Sequence, residues 1–196
     1  MRSPASPVRI EFRMNEHRTA LIWFRNDLRV DDQSSLLDAV RNHDRVVGYT
    51  SIPRSWLRTG PLGFPRMDRF RTRFLLESIA DLRVMLDRLN ISLVVGFDDD
   101  DSLGDLCREH GITDAYLQHE WTRDERYDES RIPEHVRVHR AWDQFLFHPD
   151  DIPMEVERVP EVFTQFRKAC EKESTVRPCL PTPEPRDPDN LLSDPP

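Results

Sequence analysis

Five short apolar runs, separated by charged or amphipathic stretches, constrain this chain more than any other feature of its sequence. They are TALIWF (19–24), RVVGYTSI (45–52), ISLVVGF (91–97), DAYLQ (114–118) and the shorter, alternating HVRVHR (135–140). Runs of this length between turn and cap residues read as strands, and unbroken apolarity points to burial on both faces. Helical patterns fill the gaps. SSLLDAV follows Asp31 and Asp32, which supply an acidic cap. Asp68 opens a long helix in which Phe70, Phe74, Leu75, Ile79, Leu82, Leu86 and Leu89 recur at helical spacing. The aspartate run 98–101 leads into LGDLCREH, which Gly111 closes, and Thr122 with Glu125 forms a capping-box pattern for a helix to about Arg131. Strands that alternate with helices at these spacings must pair in parallel. The expected fold class is therefore α/β: a doubly wound, Rossmann-like, five-stranded parallel sheet with helices on both faces.

EVFTQFRKACE supplies a last helix over about 161–173, after which the composition changes. Seven of the 16 prolines fall between Pro178 and Pro196, so 174–196 reads as an extended, Pro-rich interdomain linker or tail rather than a packed element. Residues 1–17 carry no apolar block and read as a disordered N-terminal extension, leaving 18–173 as the α/β domain. Trp23, Phe70, Phe74, Phe163 and Phe166 are expected in the core. His43, His110 and His135 are expected at the surface or at helix ends.

Composition excludes several functions. A formal charge of -8 argues against direct nucleic-acid binding by this unit, which would need a basic face to neutralise phosphates. Cys107, Cys170 and Cys179 are odd in number and lack CxxC spacing, so neither a disulfide frame nor a metal site is indicated, and a reduced cytoplasm fits. No apolar run approaches a membrane span. The six glycines form neither GxGxxG nor GxxxxGK[ST], which removes the usual phosphate cradles. No catalytic constellation is found.

Ligands of open parallel sheets bind outside the carboxyl ends of the strands, where the strand order reverses. The residues leaving those ends are Arg25, Asp27 and Arg29 after the first run, Ser51 to Arg54 after the second, and Gln118, His119 and Glu120 after the fourth. A carboxylate such as Glu120 can accept two hydrogen bonds from an amidine-like edge, the donor pattern of a pterin or guanine ring. The alternative is a solvated loop acid or an ion-pair partner for one of the arginines. Arg25, Asp27 and Arg29 read as a buried ion pair bracing a turn.

Five segments in one order carry a resemblance. LIWFRNDLRVDD is similar to the opening of the photolyase and cryptochrome family, and RFRTRFLLESIADLR (69–83) resembles the long helix of its DASH branch. AWDQFLFHPDDIP (141–153) and VPEVFTQFRKACE (159–171) resemble later segments of that branch, and VRPCLPTPEP resembles its interdomain linker. The resemblance implies the N-terminal antenna domain of such a protein. In that family a folate such as methenyltetrahydrofolate at the rim absorbs near-ultraviolet light and passes excitation to FAD. The flavin, held in a helical C-terminal domain, repairs cyclobutane pyrimidine dimers in DNA. Glu120 falls where DASH members hold a pterin-binding glutamate, with Gln118 and His119 beside it.

The FAD- and DNA-binding half is expected to be missing from this chain, and no activity is expected from the chain alone. A truncated or split fragment is the implied state, with a separately encoded FAD-binding domain as the implied partner. Two departures point to an altered rim: Ile52 stands where the family's Asp-Pro-Arg begins, and Asp143-Gln144-Phe145 replaces a small-residue turn. They motivate the alternative, a non-catalytic small-molecule-binding or regulatory α/β module that has lost its antenna role.

Overall fold

A computed structural model of the chain describes residues 18–98 and 101–193. The expected N-terminal extension, residues 1–17, lies outside the described residues, as do Asp99 and Asp100. Five strands form one parallel sheet: β1 (Thr19–Phe24), β2 (Arg45–Ile52), β3 (Leu93–Phe97), β4 (Ile112–Gln118) and β5 (Arg137–Ala141), in the order β3-β2-β1-β4-β5. β1 occupies the centre, and all six of its residues are buried, as an unbroken apolar run requires. Its pleat divides the core in two. Ala20, Ile22 and Phe24 face α1 (Ser34–Asn42) and α2 (Arg69–Asp87), while Leu21 and Trp23 face α3 (Ser102–Glu109) and the segment around Ile132 and Val136. The fully buried Leu21, Ile22, Trp23 and Phe24 stabilise the fold by roughly 1.5–3 kcal/mol each. α4 (Arg123–Glu129) carries the expected capping box from Thr122 and Glu125, and Gly111, at φ 58°, closes α3 in the left-handed region.

Several local expectations need correction, because helix overhang or a contact distant in sequence overrides the local pattern. The first turns of α2 are not core, since Phe70 is 74% and Phe74 72% exposed while Ile79, Leu82 and Leu86 are buried. At 19 residues the helix is about 28 Å long. The five-residue β3 beside it spans roughly 17 Å, so the start of α2 overhangs the rim. Phe163, at the start of α5 (Phe163–Glu173), is likewise 70% exposed, whereas Cys170 is buried. α1 is not capped by Asp31 or Asp32. Its N-terminal Ser34 donates both its N–H and its hydroxyl to the Asp143 carboxylate, at 2.9 and 2.6 Å. His43 stands at the end of α1 as expected, but it is buried rather than exposed, with Nε2 3.2 Å from Asp114 Oδ2.

The proline-rich tail is extended, as its composition suggests, yet it packs against the domain. The Arg186 guanidinium donates to the carbonyls of Val40, His43 and Asp44, closing the C-terminal end of α1. Asn190 is buried; its amide accepts from Val46 N–H at 2.9 Å and donates to Val46 C=O at 3.0 Å and Asn90 C=O at 2.6 Å. β3 pairs with β2 only from Gly48 onward, so the Asn190 amide takes the place of a strand partner at Val46. Leu192 N–H then donates to Ser92 Oγ at 3.0 Å.

Candidate functional site

β1 and β4 are neighbours, but the chain leaves them toward opposite edges of the sheet, so their carboxyl ends form the crevice where strand order reverses. Three side chains meet there. Asn26, one residue past the Arg25 that follows β1, donates through one amide nitrogen to Glu120 Oε1 at 3.0 Å and to Glu125 Oε1 at 3.1 Å. Glu120 is only 4% exposed. Burial pushes its carboxyl above the ordinary glutamate range, against hydrogen bonds from Gln144 and Asn26 that favour the charged form. Glu125 is shifted the other way, because the Thr122 hydroxyl and backbone N–H and the Asn26 amide outweigh its burial.

The three residues nominated from sequence fare differently. Gln118 is 1% exposed, and both ends of its amide are engaged: Nε2 donates to Ala141 C=O at 2.9 Å, and Oε1 accepts from Asp143 N–H at 3.2 Å. It ties the end of β4 to the end of β5. The His119 N–H joins the same tie through Ala141 C=O at 2.8 Å. Its ring stacks on Trp142 at 4.3 Å and meets the edge of Trp121 at 4.8 Å, while Trp121 also contacts Trp142 and Phe145. The result is an aromatic ledge next to Glu120, with Trp121 51% exposed. Glu120 is not a solvated loop acid, and among the described residues no arginine forms an ion pair with it; it is a buried acid held by the Asn26 amide.

The turn after β1 also differs from the expected internal ion pair. The buried Asp27 carboxylate accepts from Arg25 N–H at 3.0 Å and Gln33 Nε2 at 2.7 Å, while the Arg25 guanidinium reaches Glu129 Oε1 at 3.1 Å and the Gln118 carbonyl. Arg29 donates to the carbonyls of Asp32 and Asp143. The turn is braced by backbone contacts, and Arg25 binds it to α4. On the β2 side of the crevice a cleft of about 210 Å³ opens among Arg25, Asn26, Trp56, Phe74, Glu125 and Asp128, with burial raising the Asp128 carboxyl. Asn26 is not among the residues nominated from sequence, although it lies inside the strand-end segment that the crevice rule selects; Gln144 enters there only as part of the altered turn 143–145.

Comparison with known proteins agrees with this architecture. The family model for DNA photolyase matches residues 20–187. The chain is similar to cryptochrome DASH of Gloeobacter violaceus, at 39% identity over 173 residues that make up 85% of this chain and 34% of that protein. It is also similar to cryptochrome DASH of Danio rerio, at 36% identity over 87% of this chain and 35% of that protein. The chain thus spans about a third of the length of these relatives. Among solved structures, a cryptochrome from Synechocystis superposes with a TM-score of 0.76 over 90% of this chain and 41% of that one, at 24% identity. A Sulfolobus tokodaii photolyase solved with two FAD molecules superposes at 0.68, over 86% of this chain and 37% of that one, at 20% identity.

Proposed function

Because the chain belongs to the DNA photolyase family, we propose that it serves as the antenna-type α/β domain of a DASH-type cryptochrome or photolyase, binding a folate at the crevice and having no repair activity of its own. One observation carries the reading: Glu120, a buried carboxylate held by the Asn26 amide, stands at the point of strand-order reversal beside an aromatic ledge. The donor edge of a pterin, an amino group next to a ring N–H, complements a carboxylate that can only accept. The Trp121 face offers a flat apolar surface for such a ring. Bound there, methenyltetrahydrofolate would supply near-ultraviolet absorption for transfer to a flavin. The protein's part is to orient the ring through Glu120, which Asn26 holds in place, and to flank it with Trp121 and Trp142.

Flavin binding and DNA repair are assigned to a partner region corresponding to the remaining two thirds of the relatives' length, whether carried on the same polypeptide or encoded separately. The exposed apolar groups Val162, Phe163 and Leu146 suit contact with such a region. A second reading, a regulatory or small-molecule module without an antenna, is favoured by Ile52, which packs against the core where the family places an acid. Titration with methenyltetrahydrofolate decides between them. Wild-type protein should acquire a bound near-ultraviolet chromophore at one equivalent, and Glu120→Ala should not. A wild-type protein that stays colourless would sink the antenna reading and favour the second.

A further inference from the structure

We propose that Asn26 is the positioning residue of the crevice: by giving one hydrogen each to Glu120 and Glu125, it lets the two acids stand ionised side by side and keeps Glu120 open to a ligand's donors. The inference rests on the reading of Glu120 as a ring-binding carboxylate and deepens it, naming what governs the charge on that group. The Asn26 side-chain nitrogen lies 3.0 Å from Glu120 Oε1 and 3.1 Å from Glu125 Oε1. The two oxygens are therefore within about 6 Å of each other, a range in which like charges disfavour ionisation. Ionised carboxylates only accept, so the amide must turn its nitrogen toward both, and its two hydrogens serve one acid each.

The surrounding groups leave this task to a neutral side chain. Arg25 directs its guanidinium to Glu129 Oε1 and to the carbonyls of Gln118 and Glu125. Asp27 is held by Arg25 N–H and Gln33, Asp143 by Ser34, and the His119 ring lies against Trp121 and Trp142. Glu125 Oε2 accepts from the Thr122 hydroxyl and N–H of the capping box, while its Oε1 accepts from Asn26. An arginine in the place of Asn26 would cancel the charge on Glu120 and occupy it as an ion-pair partner. A neutral amide favours the charged form without cancelling it, so the carboxylate keeps its charge for the N–H groups of a ring. Burial is the larger cause that pushes the Glu120 carboxyl upward, the Glu125 charge adds to it, and the Asn26 hydrogen bond works against both. Without Asn26, Glu120 takes up its proton at a higher pH, and a protonated carboxyl meets a donor edge with a hydrogen of its own.

The test follows the Glu120 carboxyl by carbon-13 NMR across a pH series in wild type, Asn26→Ala and Glu125→Gln, the resonance being assigned by its loss in Glu120→Gln. Glu125→Gln keeps the capping box, which takes either residue at that position. The midpoint should rise in Asn26→Ala, which loses a donor to the charged form, and fall in Glu125→Gln, which loses the opposing charge. A general loosening of the turn would not shift it in opposite directions. A midpoint unmoved in Asn26→Ala, or shifts of one sign in both variants, overturns the inference and leaves the Glu120 reading standing. Methenyltetrahydrofolate titrations over the same pH series test that reading separately. The pH below which the bound near-ultraviolet chromophore is lost should follow the Glu120 midpoint, upward in Asn26→Ala and downward in Glu125→Gln. Binding that ignores a midpoint which has moved overturns the Glu120 reading and leaves the role of Asn26 intact. Because Asn26 is exposed, its replacement leaves the fold intact, which circular dichroism verifies.

Discussion

At the scale of single residues, one contact that shapes stability lies away from the crevice. Asp114, near the start of β4, holds two imidazoles: His43 at the end of α1 through Oδ2 at 3.2 Å, and His139 on β5 through Oδ1 at 2.7 Å; Thr113 adds a hydroxyl at 2.8 Å. The His139 ring also stacks on Tyr116 at 4.4 Å. Burial alone would raise this carboxyl, but the hydrogen bonds from His139, Thr113 and His43 outweigh it and bring the pKa down to about 2. A depressed folded pKa contributes stability that is present above the unfolded value of 3.8 and is lost as pH falls through about 2. Asp114→Asn should cost about 2–3 kcal/mol at neutral pH, the scale of hydrogen bonds to a buried charged acceptor. In urea unfolding followed across pH, the gap between variant and wild type should close between pH 3.8 and 2; a gap constant over that window would show that charge is not its source. Sequence pattern pointed to Glu120 because strand ends follow a positional rule. It passed over Asp114 and His43 because their pairing joins β4 to the end of α1, which no local period records.

At the scale of elements, the strand limits were legible where apolar runs are long and sharply bounded: β1 and β2 span the residues their runs occupy. β3 and β5 begin two residues later than their runs. Ile91 is instead held before β3 by its N–H to the Leu86 carbonyl, and Val136 before β5 by its N–H to Pro133. What sequence could not show is how elements borrow one another's groups. α1 takes its N-terminal acceptor from Asp143 and its C-terminal donor from Arg186, although neither residue lies in its own segment. Proline content suggests an extended tail rather than a packed element, and it says nothing about a side-chain amide standing in for a strand. Asn190→Ala would strand the N–H and C=O of Val46 and the carbonyl of Asn90 in a buried place, which should cost about 2–4 kcal/mol. Arg186→Ala should cost less, about 1 kcal/mol, because water can reach part of the site. A urea midpoint for Asn190→Ala equal to wild type would show the tail to be an ornament. The predicted loss would instead make residues 186–192 part of the folded unit and set its boundary beyond residue 173.

At the scale of the whole molecule, the doubly wound class followed from alternation alone, while the order β3-β2-β1-β4-β5 depends on which strands pair and could not be read from periodicity. Class also leaves open which apolar faces are covered. Val162 and Phe163 at the start of α5, and Phe70 and Phe74 where α2 overhangs the rim, are solvent-exposed in this chain, and apolar groups of that size in water favour association. Opposing this is a formal charge of -8, whose repulsion reaches over a Debye length of about 30 Å at 0.01 M salt but only about 3 Å at 1 M. Association should therefore be weak in dilute buffer and strengthen as salt screens the charge, since apolar attraction is not screened with it. Sedimentation velocity across that salt range should record growth of dimer or larger species. Phe163→Ser should reduce the growth if the α5 face is the contact, and Phe70→Ser with Phe74→Ser should reduce it if the overhang is. A monomer at every salt concentration would mean that neither face is sticky enough to need a partner, and the case for a docking region opposite α5 would lose its physical basis.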